Sequence, residues 1–461
     1  MQISRKRLLS KLSQVHVRDL SLITPILTSS NERYLEDWFG RRGSSQVVAR
    51  PSSVDALRNI MKYCNSNSIG VTTIGGNTGL VGATIAGDSE LILSLDKLNS
   101  ILDVDKASAT SLVESGVVLE VLQDELGKSG LTTPYDLGAR GSCTVGGNLA
   151  THAGGVNFLR HGPLRGHVIG IECILADGTV IDSLSTSWKD NSGLDIKQLF
   201  IGSEGSLGII TKARLHCPLL PQYKSVAMLH SSKPFEQSVL SSLMLARAHV
   251  GESLSAFEFF DSEAASILDR LPLNASKPGF TVIVEASGAG SVQDRMESFV
   301  GALGEDSFEG VVSQDLESMK RLWSFREHVP VKMAKLGPNL KFDLSLPQSE
   351  YYALVNLVRE KYGNSKHVIK IVGYGHVGDG NLHLNIALHS ACSEELKLEI
   401  SEFVYEKERA VNGSISAEHG IGRDKLAYIG FSKSESAIRI MRELKHMFDP
   451  KGILNPGRTI P

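Results

Sequence analysis

The chain has 461 residues, 41% hydrophobic and 21% charged, with 48 Lys plus Arg against 51 Asp plus Glu and a formal net charge of −3. That length suggests about three domains at roughly 150 residues each, with cores large enough to need no disulfide or structural metal. The balanced charge excludes a role built on phosphate neutralisation, so nucleic acid is not an expected partner, and no run of about 18 apolar residues offers a membrane span. The five cysteines, Cys64, Cys143, Cys173, Cys217 and Cys392, contain no C-x-x-C pair. This disfavours a zinc ribbon or disulfide framework and points to a reducing compartment.

Residues 1–18 carry Arg5, Lys6, Arg7, Lys11 and Arg18 among serines, with no acid before Asp19. That is the composition of a mitochondrial targeting segment; the other reading is an exposed basic helix. Residues 1–40 are set apart on this ground.

Residues 41–222 read as one unit, with β-rich runs at 45–48, 70–73, 90–95, 111–117, 167–176 and 206–215. Between them lie helical patterns at 53–65, where Ser52 or Ser53 offers an N-cap, and at 118–128. Alternating strand and helix suggests α/β character there. Residues 223–415 alternate differently, with strand-like runs at 225–229, 255–260, 280–286, 368–374 and 382–388 between long helical patterns. An antiparallel sheet with helices is expected, so the chain as a whole is α+β. Residues 416–461 read as mostly helical.

Glycine numbers 44, nearly a tenth of the chain, and it is clustered. Clustered glycine marks backbone that turns sharply or approaches a ligand closely. The first cluster is Gly75-Gly76-Asn77-Thr78-Gly79, directly after a β-rich run. The second comprises Gly138, Gly141, Gly146, Gly147, Gly154 and Gly155, interleaved with Ser142, Thr144, Asn148 and Thr151. The third comprises Gly202, Gly205 and Gly208. Any one could be a tight turn, but three in one unit suit a large phosphorylated cofactor held by several loops. A later stretch, Gly373 to Gly378, formally matches G-x-G-x-x-G. It is followed by alternating, strand-like residues rather than a helix, which excludes a nicotinamide site.

That stretch reads instead as a hairpin. A two-residue type I′ turn at Asp379-Gly380 would set His376 directly opposite His383, with Cβ atoms about 4.5–5.5 Å apart. Two such imidazoles can share a metal, and Asn385 projects on the same face as His383. Glu418 is the best third ligand, leaving a position open for substrate, and the adjacent His419 could serve as a base. The competing reading is polar residues at loop ends.

The residues that carry a wider likeness are the stretches 75–80 (GGNTGL), 134–155 (PYDLGARGSCTVGGNLATHAGG), 202–211 (GSEGSLGIIT), 341–347 (KFDLSLP), 373–385 (GYGHVGDGNLHLN), 413–422 (GSISAEHGIG) and 449–457 (DPKGILNPG). From about residue 41 to the end the chain resembles the D-2-hydroxyglutarate dehydrogenases of the FAD-binding oxidoreductase/transferase type 4 family. These are flavoproteins of the vanillyl-alcohol oxidase superfamily, with a p-cresol-methylhydroxylase-type FAD domain. The first three motifs and the last are shared with D-lactate dehydrogenases and other flavin relatives.

The resemblance implies an FAD-binding domain over 41–222, a substrate or cap domain over 223–415 and a C-terminal segment, 416–461, serving both. It implies that Gly75, Gly76, Asn77, Thr78, Gly79, Leu80, Gly138, Ser142, Gly146, Gly147, Thr151, Gly155, Gly205, Ile210 and Asn455 bind FAD. With no His in the first loop, the flavin is expected to be non-covalent. It implies that His376, His383 and Glu418 hold Zn²⁺, that His419 is the base, and that Arg326, Lys341 and Asn385, with His419, contact substrate. The activity implied is oxidation of D-2-hydroxyglutarate to 2-oxoglutarate, with a D-lactate or broad D-2-hydroxyacid dehydrogenase as the alternative. A zinc hydrolase and a non-catalytic flavin scaffold are readings from other classes. Implied partners are the small-molecule hydroxyacid, an electron acceptor such as electron-transfer flavoprotein, and a second copy in a homodimer. The implied location is the mitochondrial matrix, or the cytoplasm if residues 1–40 are no targeting signal. Two departures stand out: His152 replaces the usual Asn, and Pro330 stands where some members carry a Thr.

Overall fold

The computed structural model describes residues 23–25, 32–45, 47–273, 278–304 and 307–461. The basic segment 1–18, with its targeting expectation, lies outside them. The chain forms two compact units. The first holds the described residues up to Gly154, then Pro163–Leu220 and Glu418–Pro461; the second holds Gly155–Gly162 and Pro221–Ala417.

In the first unit, β1 (Ile23–Pro25), β2 (Val47–Ala49), β3 (Gly70–Ile74) and β4 (Glu90–Ser94) form a sheet in the order β1-β2-β4-β3. The pairs β2/β4 and β3/β4 are parallel. A parallel strand is covered on both faces, and β4 is correspondingly buried along its whole length. Helix α1 (Val54–Asn67) starts where the Ser53 side chain accepts from the Ala56 N–H, and it ends at Ser68 with φ +52°. Its Leu57, Ile60, Met61 and Cys64 fall at helical spacing and are buried in one core with Val71, Leu91 and Leu93.

A second sheet, wholly antiparallel, has β5 (Ile101–Asp105), β6 (Thr110–Glu114), β7 (Val168–Ile174), β8 (Val180–Asp182) and β9 (Ile209–His216) in the order β5-β6-β9-β7-β8. Helices α2 (Leu119–Gly127) and α3 (Val145–Thr151) bury Leu119, Leu122, Leu126, Val145 and Leu149 in its core. The unit therefore pairs a short parallel core with an antiparallel sheet and is α+β rather than α/β. The C-terminal strand-like tail returns to β3, where the Val71 N–H bonds Ile453 O (2.7 Å) and the Asn455 N–H bonds Val71 O (2.8 Å).

The second unit is built on one seven-stranded sheet: β10 (Tyr223–Ser231), β11 (Leu254–Asp261), β12 (Phe280–Gly288), β13 (Glu309–Val312), β14 (Asn339–Ser345), β15 (Val368–His376) and β16 (Asn381–Leu388). The order is β13-β10-β12-β11-β15-β16-β14, with every pair antiparallel. Helix α4 (Leu316–Leu336) begins with a capping box between Asp315 and Ser318 and runs on through Pro330. Its buried stripe is Leu322, Arg326, Val329 and Met333; the three apolar members share a core with Phe260, Val372 and Tyr374.

The hairpin departs from the sequence expectation in register. Four residues, 377–380, join β15 to β16, and His376 lies opposite Asn381 while His383 lies opposite Tyr374. The two-residue turn does not form: Val377 leaves the ladder and is buried, and the loop closes through the Gly380 N–H to Val377 O and the Asn381 N–H to the Asp379 carboxylate. A slip of two residues preserves side-chain parity, so both histidines still share a face.

Candidate flavin cavity and histidine face

The glycine clusters of the first unit meet around a cavity of about 340 Å³. Its walls include Gly75, Gly76, Asn77, Thr78, Gly79 and Leu80 from the loop after β3, with Gly138, Gly146, Gly147 and Thr151 from the second cluster. Gly205, Ile210, Asn455, Glu418 and His419 complete the expected residues on its wall. Ser142 and Gly155 do not line it. Ser142 supports the wall from behind: a Cβ built on Gly76 would come 2.1 Å from its carbonyl oxygen. Gly155 belongs to the second unit.

These glycines serve close backbone approach. A Cβ on Gly146 would meet Ser115 Cβ at 2.3 Å, whereas one on Gly79 would meet nothing within 4 Å. The first kind lets loops stack; the second keeps a wall smooth for a ligand. Asn455, at φ +41°, ties three segments, accepting from the Thr73 N–H (2.9 Å) and donating to Glu204 O (2.5 Å). Glu204, which sequence reasoning passed over, is buried on the cavity wall. Its carboxylate accepts from the N–H groups of Ile421 (2.7 Å) and Gly422 (2.9 Å), holding the turn that follows His419. Burial pushes its carboxyl pKa up, against the lowering effect of those two N–H groups.

His152 lies just after α3, at φ +53°, a position Asn accepts more readily than His. Its Nε2 accepts from Arg165 Nε at 3.3 Å, and burial together with that guanidinium lowers its pKa from 6.5 to about 4.

In the second unit the four strands β11, β15, β16 and β14 present one polar face. Glu258 lies opposite His376, His383 opposite both Tyr374 and Asp343, and Asn385 opposite Lys341. The imidazole centroids of His376 and His383 are 5.2 Å apart, and a ring nitrogen of each lies within 4.8 Å of one on the other. His376 Nδ1 is 2.6 Å from Glu258 Oε1, and His383 Nδ1 is 3.7 Å from Asp343 Oδ1. Carboxylates on the Nδ1 side leave Nε2 for a metal, so these residues fit a divalent ion.

Arg326 reaches the same face from α4. Its Nε and Nη2 lie 3.1 Å from Glu258 Oε2, and its guanidinium carbon lies 4.6 Å from the Tyr374 ring centroid. Asn385 Nδ2 donates to Tyr374 Oη at 2.9 Å. Burial pushes the Tyr374 phenol up to about 12, so it stays protonated, and it lowers the pKa of the half-buried Lys341. Glu258, Asp343 and Tyr374 were missed from the sequence. The signal was there for Asp343, which shares Lys341's parity in KFDLSLP, and for Glu258, a lone charge inside the apolar run AFEFF.

Comparison with known proteins supplies the cofactor. Residues 45–183 match the family model described as "FAD binding domain", and residues 220–459 match "FAD linked oxidases, C-terminal domain". The chain belongs to the FAD-linked oxidases. It is an oxidoreductase, and FAD is its cofactor.

Among its relatives is a mitochondrial D-2-hydroxyglutarate dehydrogenase of Bos taurus, 42% identical over 92% of this chain and 79% of that protein. A putative mitochondrial D-lactate dehydrogenase of Schizosaccharomyces pombe is 40% identical over 96% of this chain and 88% of its own length. A D-2-hydroxyglutarate–pyruvate transhydrogenase of Saccharomyces cerevisiae is 36% identical over 92% and 88%. Of solved structures, alkyldihydroxyacetonephosphate synthase superposes with a TM-score of 0.76 at 16% identity, over 97% of this chain and 84% of that one. A p-cresol methylhydroxylase structure gives 0.72 at 14% identity, over 99% and 96%. At such identities these show the fold, which is of the p-cresol-methylhydroxylase type.

The cavity suits the flavin of this family. Thr73 Oγ1, Asn77 Oδ1 and Thr144 Oγ1, all on its walls, are buried with no hydrogen-bond partner among the described residues. Orphaned polar atoms beside glycine-smoothed walls are what a polar, phosphorylated cofactor would satisfy. Among the described residues no helix is long and apolar enough to cross a membrane.

Proposed function

We propose that this oxidoreductase converts D-2-hydroxyglutarate to 2-oxoglutarate, the first unit holding the flavin and the second the substrate. The observation that carries the reading is two cations, Arg326 and Lys341, on the same sheet face as the His376/His383 pair. One end of such a face suits a hydroxyacid and the other a second carboxylate.

When bound, FAD supplies the acceptor for the C2 hydride, and Zn²⁺ at His376, His383 and Glu418 supplies Lewis acidity at the 2-hydroxyl. Glu418 directly follows Ala417, whose N–H bonds Asp343 O on the strand beside His383. Arg326 and Lys341 hold the distal carboxylate. Charge-assisted bonds of this kind are worth roughly 1.5–3 kcal/mol each. Asn385, oriented by Tyr374, donates to the substrate. His419 takes the hydroxyl proton, since a neutral imidazole nitrogen can accept one. His419→Ala should therefore retain FAD and zinc and lose turnover. Near-normal turnover would remove it as the base.

A bound flavin would need an electron acceptor, and a carrier such as electron-transfer flavoprotein would serve. A mitochondrial location is supported by the names of the relatives and by the basic composition of residues 1–18. The second reading, a D-lactate dehydrogenase, is favoured by the Schizosaccharomyces pombe relative.

Anaerobic titration of the visible spectrum tests the proposal. D-2-hydroxyglutarate should bleach the flavin band at far lower concentration than D-lactate. Better bleaching by D-lactate would favour the second reading, and a band that neither bleaches would leave a flavin-binding scaffold.

A further inference from the structure

We propose that Glu258 is a positioning residue that couples metal binding to recognition of the distal carboxylate. The inference rests on the roles proposed above for His376 and Arg326.

Glu258 is 1% exposed, on a strand buried along its whole length. Each of its two oxygens is committed to a different partner. Oε1 lies 2.6 Å from His376 Nδ1, directly across the β11/β15 ladder, and Oε2 takes Nε and Nη2 of Arg326 at 3.1 Å. A buried carboxylate serving only to neutralise an arginine would face that arginine with both oxygens. Here the charge is divided between the two groups to which the mechanism gives different tasks.

The division has two consequences. An Nδ1–H donated to Glu258 keeps the Nε2 lone pair of His376 available as a ligand and makes it more basic. On the other side, the guanidinium is clamped between Oε2 and the Tyr374 ring, leaving its Nη1 edge for an incoming carboxylate. One carboxylate thereby fixes the ligand and the substrate clamp at a set separation, so a substrate whose two carboxylates span that separation gains both.

The test uses FAD-loaded holoprotein, wild type against Glu258→Gln and Glu258→Asp, with the flavin spectrum as the check on folding. Zinc affinity is read by competition with a chromophoric chelator, which needs no turnover. Glu258→Gln should weaken zinc about 10- to 100-fold. It should raise KM for D-2-hydroxyglutarate, yet leave KM for D-lactate, which has no distal carboxylate, within a few-fold. Glu258→Asp keeps the charge and should recover part of both losses. Zinc affinity unchanged in Glu258→Gln, with zinc bound by the wild type, would overturn the inference alone. A wild type that binds no zinc would overturn the metal role on which it rests.

A second measurement does not depend on the variants folding. In wild-type protein labelled with ¹⁵N-histidine, with resonances assigned by loss in His376→Gln, His376 should keep its Nδ1 proton and shift at Nε2 when zinc is added. Coordination through Nδ1 would overturn the proposal.

Discussion

His152 and Lys341 carry chemistry that single substitutions can read. His152 is held neutral by burial beside Arg165, its pKa lowered from 6.5 to about 4. A depressed histidine contributes stability that is fully present above pH 6.5 and is lost as pH falls through 4. His152→Asn should flatten that acid limb, seen as a thermal midpoint that changes less between pH 7 and about 4. An unchanged slope would mean that other groups set it. Lys341 faces Asn385 across β14 and β16, and burial lowers its pKa. Lys341→Ala should raise KM for D-2-hydroxyglutarate about 10- to 150-fold, the equivalent of roughly 1.5–3 kcal/mol, and leave D-lactate largely untouched. Equal loss for both acids would assign Lys341 to the sheet rather than to the substrate.

At the scale of elements, α4 and the β15/β16 hairpin show where local rules hold and where they yield. Pro330 lies inside α4, and the carbonyl that its missing N–H would serve, four residues earlier, is that of Arg326. The departure noted from sequence thus acts on the backbone at Arg326 as well as removing a hydroxyl. Pro330→Ala should stabilise the second unit by about 1–3 kcal/mol, since proline costs about 3 kcal/mol relative to Ala in a helix interior. A lower thermal midpoint would show that the helix needs its proline. The hairpin kept its histidine face although its register moved, because parity survives a shift of two. The strand runs and α1 were legible for the same reason: periodicities of 2 and 3.6 are written locally. The short β8 and β13 carry too few residues for a period and were not.

For the molecule as a whole, the first unit is discontinuous, and its C-terminal tail completes it. β3 is the edge strand of its sheet, and residues 453–455 cover that edge through Val71. Beyond them Arg458, 2% exposed, bonds Glu90 Oε2 (2.8 Å) and Thr72 Oγ1 (3.0 Å). Deleting residues 453–461 would bare a strand edge and leave the Glu90 carboxylate only Arg423 and Thr72 as partners. The truncated protein should lack the flavin band and aggregate. A soluble yellow product would show that the tail is dispensable for FAD.

The sequence by itself determined most of the longer strands and helix α1, that glycine is clustered in the first unit, and that the chain carries the motifs of an FAD-linked oxidoreductase. These are local signals, set by period, turn chemistry and residue type. Only the tertiary structure decided that Glu258 is divided between His376 and Arg326, that Tyr374 lies under that guanidinium, and that Glu204 and Asn455 hold the cavity wall. Those contacts join residues from 48 to 251 positions apart, and no local pattern encodes which buried polar group another will find.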